Sequence, residues 1–244
     1  MARNSNDWFA AKREHEDIGA EYEAKALKGH KYYVKVKSLH LLRKAKELFG
    51  DTKPLTCIDL GCGTGETMEY FQGLFGRLIG CDYSQGMLDF AAKKGLKNAE
   101  FRLSRSEELP FENGSADIVA MFGIIHHIDA AEKLIRTFSE VHRILKRGGV
   151  VAVYDFNPRN PVSRHIVRTC GIDVGVNLDG YARSAFPTTF YSEELIKILN
   201  DAGFRIAKHE YLLYFPKLLS ALLPLERLLA RVPLGGMYSI IGMK

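Results

Sequence analysis

The sequence predicts an α/β fold in which a mostly parallel sheet carries helices on both faces. Three observations predict this fold. A glycine-rich turn at residues 61–65 directly follows a short apolar run at residues 55–60. Strand-like and helix-like segments then alternate to about residue 155, which is typical of a doubly wound parallel sheet. Finally, a chain of 244 residues with 46% hydrophobic content can bury a full core as one domain.

Residues 1–50 precede the first strand and are expected to form helices over the mouth of a ligand site. A set of apolar residues recurs at helical spacing and predicts an amphipathic helix: Leu39, Leu42, Ala45, Leu48 and Phe49. Three tyrosines in this part either contact the ligand or fasten the helices to the core: Tyr22, Tyr32 and Tyr33.

Residues 55–155 hold the predicted alternating core. Five strands are expected near residues 55–60, 77–82, 99–103, 116–122 and 149–155. Helices are expected near residues 66–75, 85–94 and 130–146, so that the first of them starts at the glycine turn. After the core we expect a helix at 162–169, an irregular insert at 170–190, a helix from Ser192, and strands at 206–214 and 234–243.

The glycine spacing argues against a dinucleotide. A dinucleotide-binding loop places its third glycine three residues after the second, whereas here Gly65 comes two residues after Gly63, and Glu66 follows. A diphosphate at the start of the next helix would meet the negative charge of Glu66, which the helix dipole only partly offsets. A ligand with a ribose, an adenine and an amino-acid cation suits the turn better, and Asp59 is placed for an ammonium group.

Residues 59–65, Asp-Leu-Gly-Cys-Gly-Thr-Gly, resemble the first motif of the class I S-adenosylmethionine-dependent methyltransferases, in their type 11, UbiE-like branch. Further segments resemble that family in order and spacing over roughly residues 55–155: 78–82, 107–111, 116–122 and 140–149. The resemblance implies a Rossmann-like sheet of seven strands, mostly parallel, that closes with an antiparallel C-terminal pair. It also implies an S-adenosylmethionine cofactor.

The resemblance assigns cofactor contacts residue by residue. The methionine end would be held by Asp59, Gly61, Gly63 and Gly65, the ribose hydroxyls by Asp82, and the adenine by Tyr83, Ser106 and Glu107. The remaining expected contacts are Cys62, Met87, Phe122 and Gly123. One position departs from the family, because Arg105 stands where members often carry an Asp or Asn that accepts from the adenine amino group, and an arginine can only donate.

The single domain is accordingly divided into four parts. They are an N-terminal helical lid (1–50), a cofactor-binding core (51–157), a substrate-binding insert (158–190), and a C-terminal part (191–244) with a helix, strands and a leucine-rich helical segment.

His126 and His127 follow the fourth predicted strand, at the rim of the methyl site. An imidazole titrates near neutrality, so either ring is a candidate general base for a hydroxyl acceptor. The alternative is that one of them caps a helix or bonds Asp129 and thereby organises the loop. No third ligand has the spacing of a metal site, so no metal is expected.

The leading hypothesis is therefore a methyltransferase enzyme that acts on a small-molecule, lipid-linked or glycan-linked acceptor, at oxygen. Methylation at nitrogen or carbon is left open. Two alternatives remain, a nicotinamide-dependent oxidoreductase on a similar fold and a non-catalytic, cofactor-binding scaffold subunit. The formal net charge of +5 is spread along the chain without a run of like charges, so no nucleic-acid partner is predicted.

The stretch 211–229 is rich in leucine but is interrupted by Pro216 and Pro224, and it contains charged residues, so it does not predict a transmembrane helix. It could form a helix pair packed on the core, an apolar wall for the substrate, or a surface at 211–232 for a membrane or a second copy of the chain.

The polar start of the chain and the unpaired spacing of its cysteines predict a cytoplasmic location. Residues 156–161 and 233–236 resemble a bacterial branch of the family.

Overall fold

The computed structural model describes residues 30–128, 130–169, 173–174 and 188–244. Its strands are β1 Thr56–Leu60, β2 Arg77–Asp82, β3 Ala99–Leu103, β4 Ala116–Phe122, β5 Leu145–Phe156, β6 Asp173–Val174, β7 Thr188–Thr189, β8 Arg205–Leu212 and β9 Met237–Met243. Its α-helices are α1 His30–Phe49, α2 Gln85–Lys93, α3 Ala131–Ile144, α4 Pro161–Thr169, α5 Ser192–Asp201 and α6 Glu226–Leu229. Short 3-10 helices span Met68–Tyr70, Ile125–His127 and Lys217–Leu225.

Seven strands form one sheet in the order β3-β2-β1-β4-β5-β9-β8. The first five run parallel, while β9 is antiparallel to both β5 and β8. The register pairs Phe156 at the end of β5 with Met237 at the start of β9, and Met237 in turn with Leu212 at the end of β8. The predicted fold class is thus confirmed, and residues 213–236 lie at the same edge as the carboxyl ends of the parallel strands.

Two apolar cores cover the two faces of the sheet. On one face α1 and α2 pack through Leu41, Leu42 and Leu88. On the other face α3 and α5 pack through residues such as Phe138 and Leu195. The central strands are buried on both sides, as expected for parallel strands between two helical layers.

The expected helix at residues 66–75 is wrong. Only the 3-10 helix Met68–Tyr70 forms there, and the chain turns at Gly73, whose φ is +69°. A residue in the left-handed region ends a helix, and the buried rings of Phe71 and Phe75 pack on the sheet in its place. The argument that a helix dipole offsets the charge of Glu66 therefore does not apply.

The N-terminal helix α1 is longer than expected and is rotated relative to the predicted face. Leu42 and Ala45 are buried as expected, but Leu39 is 48% exposed, and Val34 and Leu41 take its place in the core. The helix is also fixed by polar contacts, because His40 bridges the Tyr154 hydroxyl and a carboxylate of Glu210, both at 2.9 Å.

Of the three alternatives for the leucine-rich stretch, a helix pair packed on the core is wrong for Lys217–Leu225, which contains no buried residue. Among the described helices, none is both long enough and apolar enough to cross a membrane. Tyr22, a candidate ligand contact, and Asp129, a candidate partner of the histidines, lie outside the described residues. Cys57, Cys62 and Cys81 are buried free thiols, as expected for cysteines that pack as small apolar groups.

Candidate active site

The glycine turn begins directly after β1 and needs left-handed backbone. The φ angles of Gly61, Gly63 and Gly65 are +77°, +52° and +75°. A Cβ at Gly61 would lie 2.7 Å from Cδ1 of Ile124, whereas a Cβ at Gly63 would meet nothing within 4 Å. The turn therefore presents open space beside Gly63, where a ligand can approach the backbone closely.

Asp59 lies in β1 just before this turn and is fully buried. Thr67 donates a hydrogen bond to its Oδ2, while Oδ1 is buried without a hydrogen-bond partner among the described residues. Burial raises the pKa of Asp59 to about 6, against the opposing effects of Thr67 and Lys37. A buried carboxylate oxygen that lacks a partner suits the ammonium group of a ligand.

Asp82 ends β2, the neighbouring strand, and is held by two backbone groups. The N–H of Gly63 donates to its Oδ2 at 2.9 Å, and the N–H of Ser84 donates to its Oδ1 at 3.0 Å. Burial raises the pKa of Asp82, and these backbone hydrogen bonds partly oppose that effect. Each carboxylate oxygen keeps a second lone pair, so the fixed acid can still accept bonds from two adjacent hydroxyls.

A cavity of about 470 Å³ opens beside Asp82, within the range of small-ligand sites. Six of the residues predicted from the sequence line it: Gly61, Asp82, Tyr83, Ser106, Glu107 and His127. The sequence did not point to three apolar wall residues and one cation that also line it: Leu103, Ile124, Ile128 and Lys133. Their spacing carries no motif, because they come from three separate segments: the end of β3, the two sides of the Ile125–His127 turn, and α3.

The predicted adenine loop is anchored to α3, where the Ser106 and Thr137 hydroxyls lie 2.9 Å apart. Arg105, the departure from the family pattern, turns outward with 67% of its side chain exposed, and it lies 3.8 Å from Glu107. Arg105 nevertheless lines the cavity together with Ser106 and Glu107, so this loop offers the cavity a cation as well as acceptors.

The remaining predicted cofactor residues stand behind the cavity and not on its wall. Cys62 faces Gly80, where an added Cβ would come within 2.8 Å of its Sγ. The Phe122 ring packs on Tyr154 with centroids 4.8 Å apart. The cavity lining also lacks these predicted site residues: Asp59, Gly63, Gly65, Met87, Gly123 and the candidate base His126. Their roles in cofactor binding stay predictions.

Lys37 of α1 is a site residue that the sequence reasoning missed. Its Nζ lies 5.2 Å from the centroid of the Phe122 ring. Burial lowers its pKa, while the negative charges of Asp59, Glu66 and Asp155 favour the charged form. The helix thus brings a cation to the methionine end of the predicted site, and only the packing of α1 on the sheet shows this.

His126 and Asp155 form a buried pair. Nδ1 of His126 lies 3.0 Å from Oδ1 of Asp155, and the two residues are 5% and 0% exposed. An ionised carboxylate only accepts, so Nδ1 of His126 carries the hydrogen and Nε2 is left as the basic nitrogen. Asp155 was also missed, although an acid at the end of an apolar strand is the signal that identified Asp59 and Asp82. Asp129, the expected partner, lies outside the described residues.

His127 lies next to this pair, with its ring centroid 4.2 Å from that of His126. The residue is exposed and lines the cavity, so partial burial, with a smaller contribution from His126, lowers the pKa of its ring below the ordinary value of about 6.5. The neutral form therefore predominates at pH 7. The short strand β7, at the end of the predicted substrate insert, packs against the Ile125–His127 turn.

In the part of the chain that the structure describes, no three His, Cys, Asp or Glu side chains are grouped so that they could hold a metal ion.

Comparisons with known proteins match this architecture. A family model described as a methyltransferase domain matches residues 58–153. A demethylmenaquinone methyltransferase of Chlorobaculum tepidum is 30% identical over 184 residues, which cover 70% of this chain and 72% of that protein. A mouse protein named probable tRNA methyltransferase 9B is 30% identical over 112 residues, which cover 46% of this chain and 24% of that protein.

The chain spans between 24% and 54% of the length of several other curated relatives that it matches. Among solved structures, a methyltransferase of Thermotoga maritima, described as a possible histamine N-methyltransferase, superposes with a TM-score of 0.61 at 21% identity. That alignment covers 94% of this chain and 97% of the other. At this identity the likeness concerns the fold.

Proposed function

The chain belongs to the class I S-adenosylmethionine-dependent methyltransferases, and from that membership we propose that it methylates an oxygen of a small-molecule, lipid-linked or glycan-linked acceptor. The observation that carries the proposal is the pair of buried carboxylates at one sheet edge. Asp59 offers an oxygen without a described partner, and Asp82 is pinned to the glycine turn. Nothing in this family supports the nicotinamide alternative.

These residues fit S-adenosylmethionine, the cofactor of the family. Asp59 would hold the ammonium group, with Lys37 near enough to balance the site's negative charge. Asp82 would hold the ribose hydroxyls, and the open space beside Gly63 would admit the ligand. When bound, the cofactor supplies an electrophilic methyl group on a positive sulfur.

The protein's own task is to position the acceptor and remove its proton. Asp155 fixes the His126 ring so that Nε2 can take a proton from an acceptor hydroxyl, which is worth roughly 10²–10⁴-fold in rate. His127, neutral and on the cavity wall, would shape the acceptor side. Orientation of the acceptor by the surrounding walls contributes several kcal/mol more.

The names of the relatives support two classes of acceptor. Relatives named demethylmenaquinone methyltransferase favour an apolar small molecule, and the alignments cover 52%, 72% and 70% of their length. Relatives named probable tRNA methyltransferase 9B support a nucleic-acid acceptor, but over only 24%, 31% and 24% of their length. The exposed leucines at the site edge favour the apolar class.

A transfer assay with labelled S-adenosylmethionine tests the proposal. The protein is incubated with a prenylated hydroquinone, a polyprenyl-linked sugar or unmodified tRNA, and label is counted in the organic and the acid-precipitable fractions. We expect label in an organic fraction, and its loss in His126→Gln. Label in tRNA alone would overturn the acceptor class. Cofactor binding without transfer to any of them would favour the non-catalytic subunit.

A further inference from the structure

The segment between β8 and β9 exposes an unusual amount of apolar surface. We define the leucine surface as seven exposed apolar residues of this segment: Leu218, Leu219, Leu222, Leu225, Leu228, Val232 and Leu234. Leu218 and Leu228 are 92% and 81% exposed. Exposed leucines scattered singly are ordinary, but seven within 17 residues mark an interaction surface.

The charges around the leucine surface have one sign. Lys217, Arg227 and Arg231 are exposed, and none of them makes an ion pair within the described part of the chain. Glu226 is the only acid between residues 213 and 236, and it is 8% exposed. Its carboxylate turns inward and accepts the backbone N–H groups of Leu213, Tyr214 and Phe215 at 3.2, 2.8 and 3.2 Å.

Because backbone N–H groups bond the Glu226 carboxylate, this acid does not reach the outer face of the segment. The outer face therefore presents leucines flanked by cations and no carboxylate of its own segment. Apolar side chains beside lysine and arginine are complementary to a bilayer with anionic headgroups, because the leucines enter the headgroup boundary while the cations pair with phosphates. A second copy of the chain that docked through the same segment would offer these cations no exposed carboxylate, because Glu226 is buried.

The leucine surface adjoins the active site. Asn157, which follows β5, donates through Nδ2 to the carbonyl oxygens of Pro233 and Gly235 at 3.1 and 2.8 Å. The hydroxyl of Tyr32 in α1 donates to the carbonyl of Phe215 at 3.0 Å. These bonds fix the segment at the carboxyl edge of the sheet. The Phe156 ring, at the same edge, lies 5.7 Å from His126.

We infer that the leucine surface docks the protein on an anionic phospholipid bilayer, without crossing it, and turns the active-site edge towards that bilayer. Docking itself does not depend on methyl transfer. Its use, the direct entry of an apolar acceptor from the bilayer, rests on the proposed function. The two can fail separately, because docking is measured without cofactor or acceptor.

Sedimentation with lipid vesicles tests the inference. The whole chain is mixed with vesicles of phosphatidylcholine plus phosphatidylglycerol, or of phosphatidylcholine alone, and the bound fraction is measured. We expect binding to the anionic vesicles and its loss in the double variant Leu218→Asp, Leu228→Asp. The double variant Leu39→Asp, Ile135→Asp is the matched control. It adds the same two negative charges at exposed apolar residues of α1 and α3, which are 48% and 46% exposed. Thermal melts should show all these variants folded.

A charge-matched pair of triple variants separates specific docking from general attraction. Lys217→Gln, Arg227→Gln, Arg231→Gln removes the cations of the surface, while Lys46→Gln, Lys93→Gln, Lys97→Gln removes three exposed lysines elsewhere. Each takes the formal net charge from +5 to 5 − 3 = +2. We expect roughly fivefold weaker binding per cation removed, and so roughly hundredfold for the first triple and little change for the second.

Three outcomes would overturn docking on a bilayer. The wild type would bind neither kind of vesicle, or both triples would weaken binding equally. Alternatively, light scattering would show a wild-type dimer that the double aspartate variant dissociates, with no binding to lipid, which would assign the surface to a second copy of the chain.

Discussion

The backbone N–H of Gly63 donates a 2.9 Å hydrogen bond to Oδ2 of Asp82, and so joins the turn after one strand to the acid at the end of the next. The donor is a main-chain group, so its direction depends on the turn conformation, in which Gly63 has a φ of +52°. The turn and the acid therefore behave as one preformed unit. A substitution at either residue should therefore change the affinity for the same ligand.

Alanine substitutions at Gly61 and at Gly63 should have different effects. In Gly63→Ala the added methyl group enters open space and costs only the strain of a positive φ, about 1 kcal/mol, but it blocks the ligand. In Gly61→Ala it meets Ile124 at 2.7 Å, so we expect a loss of about 1–3 kcal/mol in stability. Melting curves and calorimetry with S-adenosylhomocysteine measure the two effects.

Gly50→Ala is the control for this prediction, since Gly50 has a φ of +74° and equally open surroundings away from the site. If Gly63→Ala bound S-adenosylhomocysteine as well as Gly50→Ala does, the assignment of the open space to a ligand would be wrong.

Asp82→Asn should weaken S-adenosylhomocysteine binding by roughly 10–100-fold, because hydrogen bonds to a charged acceptor contribute about 1.5–3 kcal/mol. Isothermal titration calorimetry measures the affinity. Asp89→Asn, at an exposed position of α2, is the matched control and should bind normally. Equal affinities in the two variants would contradict the role given to Asp82.

Cofactor binding should depend on pH through Asp59. The pKa of this buried acid is raised to about 6, and only its carboxylate form attracts an ammonium group. As the pH falls through 6, Asp59 takes up a proton and affinity for S-adenosylhomocysteine should fall, by up to roughly tenfold per pH unit. Titrations in buffers of different ionisation enthalpy should also show proton release on binding near pH 6. A flat profile, or the same profile in Asp59→Asn, would refute this.

Changes at His126 and Asp155 should affect turnover and leave cofactor affinity unchanged. His126→Gln removes the basic nitrogen, so we expect kcat to fall by roughly 10²–10⁴-fold. In Asp155→Asn the asparagine amide can donate to Nδ1 of His126, which favours the tautomer with its hydrogen on Nε2. We therefore expect kcat to fall although the ring stays in place. Single-turnover kinetics on an accepted substrate measures this. His127→Gln should change KM more than kcat, and the reverse result would exchange the roles of the two histidines.

Glu210→Gln should loosen α1 from the sheet. Burial alone would raise the pKa of Glu210, but hydrogen bonds and charge from His40 and Lys44 lower it to about 2. Since the pKa of Glu210 in the folded protein lies below the ordinary glutamate value of 4.5, the stabilisation is fully present above pH 4.5 and is lost as the pH falls towards 2. We expect the variant to lose about 1–3 kcal/mol at neutral pH.

Denaturant melts at several pH values test this expectation. Glu47→Gln is the control, because Glu47 is 43% exposed and pairs with Arg43 and Lys44, as Glu210 does, but makes no ion pair with His40 among the described residues. The difference between the two variants should shrink as the pH falls below 4.5. A difference that does not change with pH would show that charge is not what holds the helix.

The sequence by itself determined the features that depend on local pattern. The apolar runs define the five parallel strands, because residues buried between two helical layers must be apolar. The sequence also predicts the site positions Asp59, the glycine turn and Asp82. Each lies at the end of a strand, where α/β sheets of this kind bind their ligands. The antiparallel closing pair was likewise anticipated. The helix expected after the glycine turn does not form, because Gly73 adopts left-handed backbone and two phenylalanines are buried against the sheet.

Only the tertiary structure decided which distant groups meet. Lys37 reaches the site through the packing of α1, and the pair of His126 with Asp155 joins residues 29 positions apart. The sequence also could not predict that the leucine surface is exposed, because a leucine-rich segment has the same sequence pattern whether it packs on the core or faces outward. In each case the physical reason is that sequence pattern fixes which face of an element is apolar, whereas contact between elements depends on how the whole chain packs.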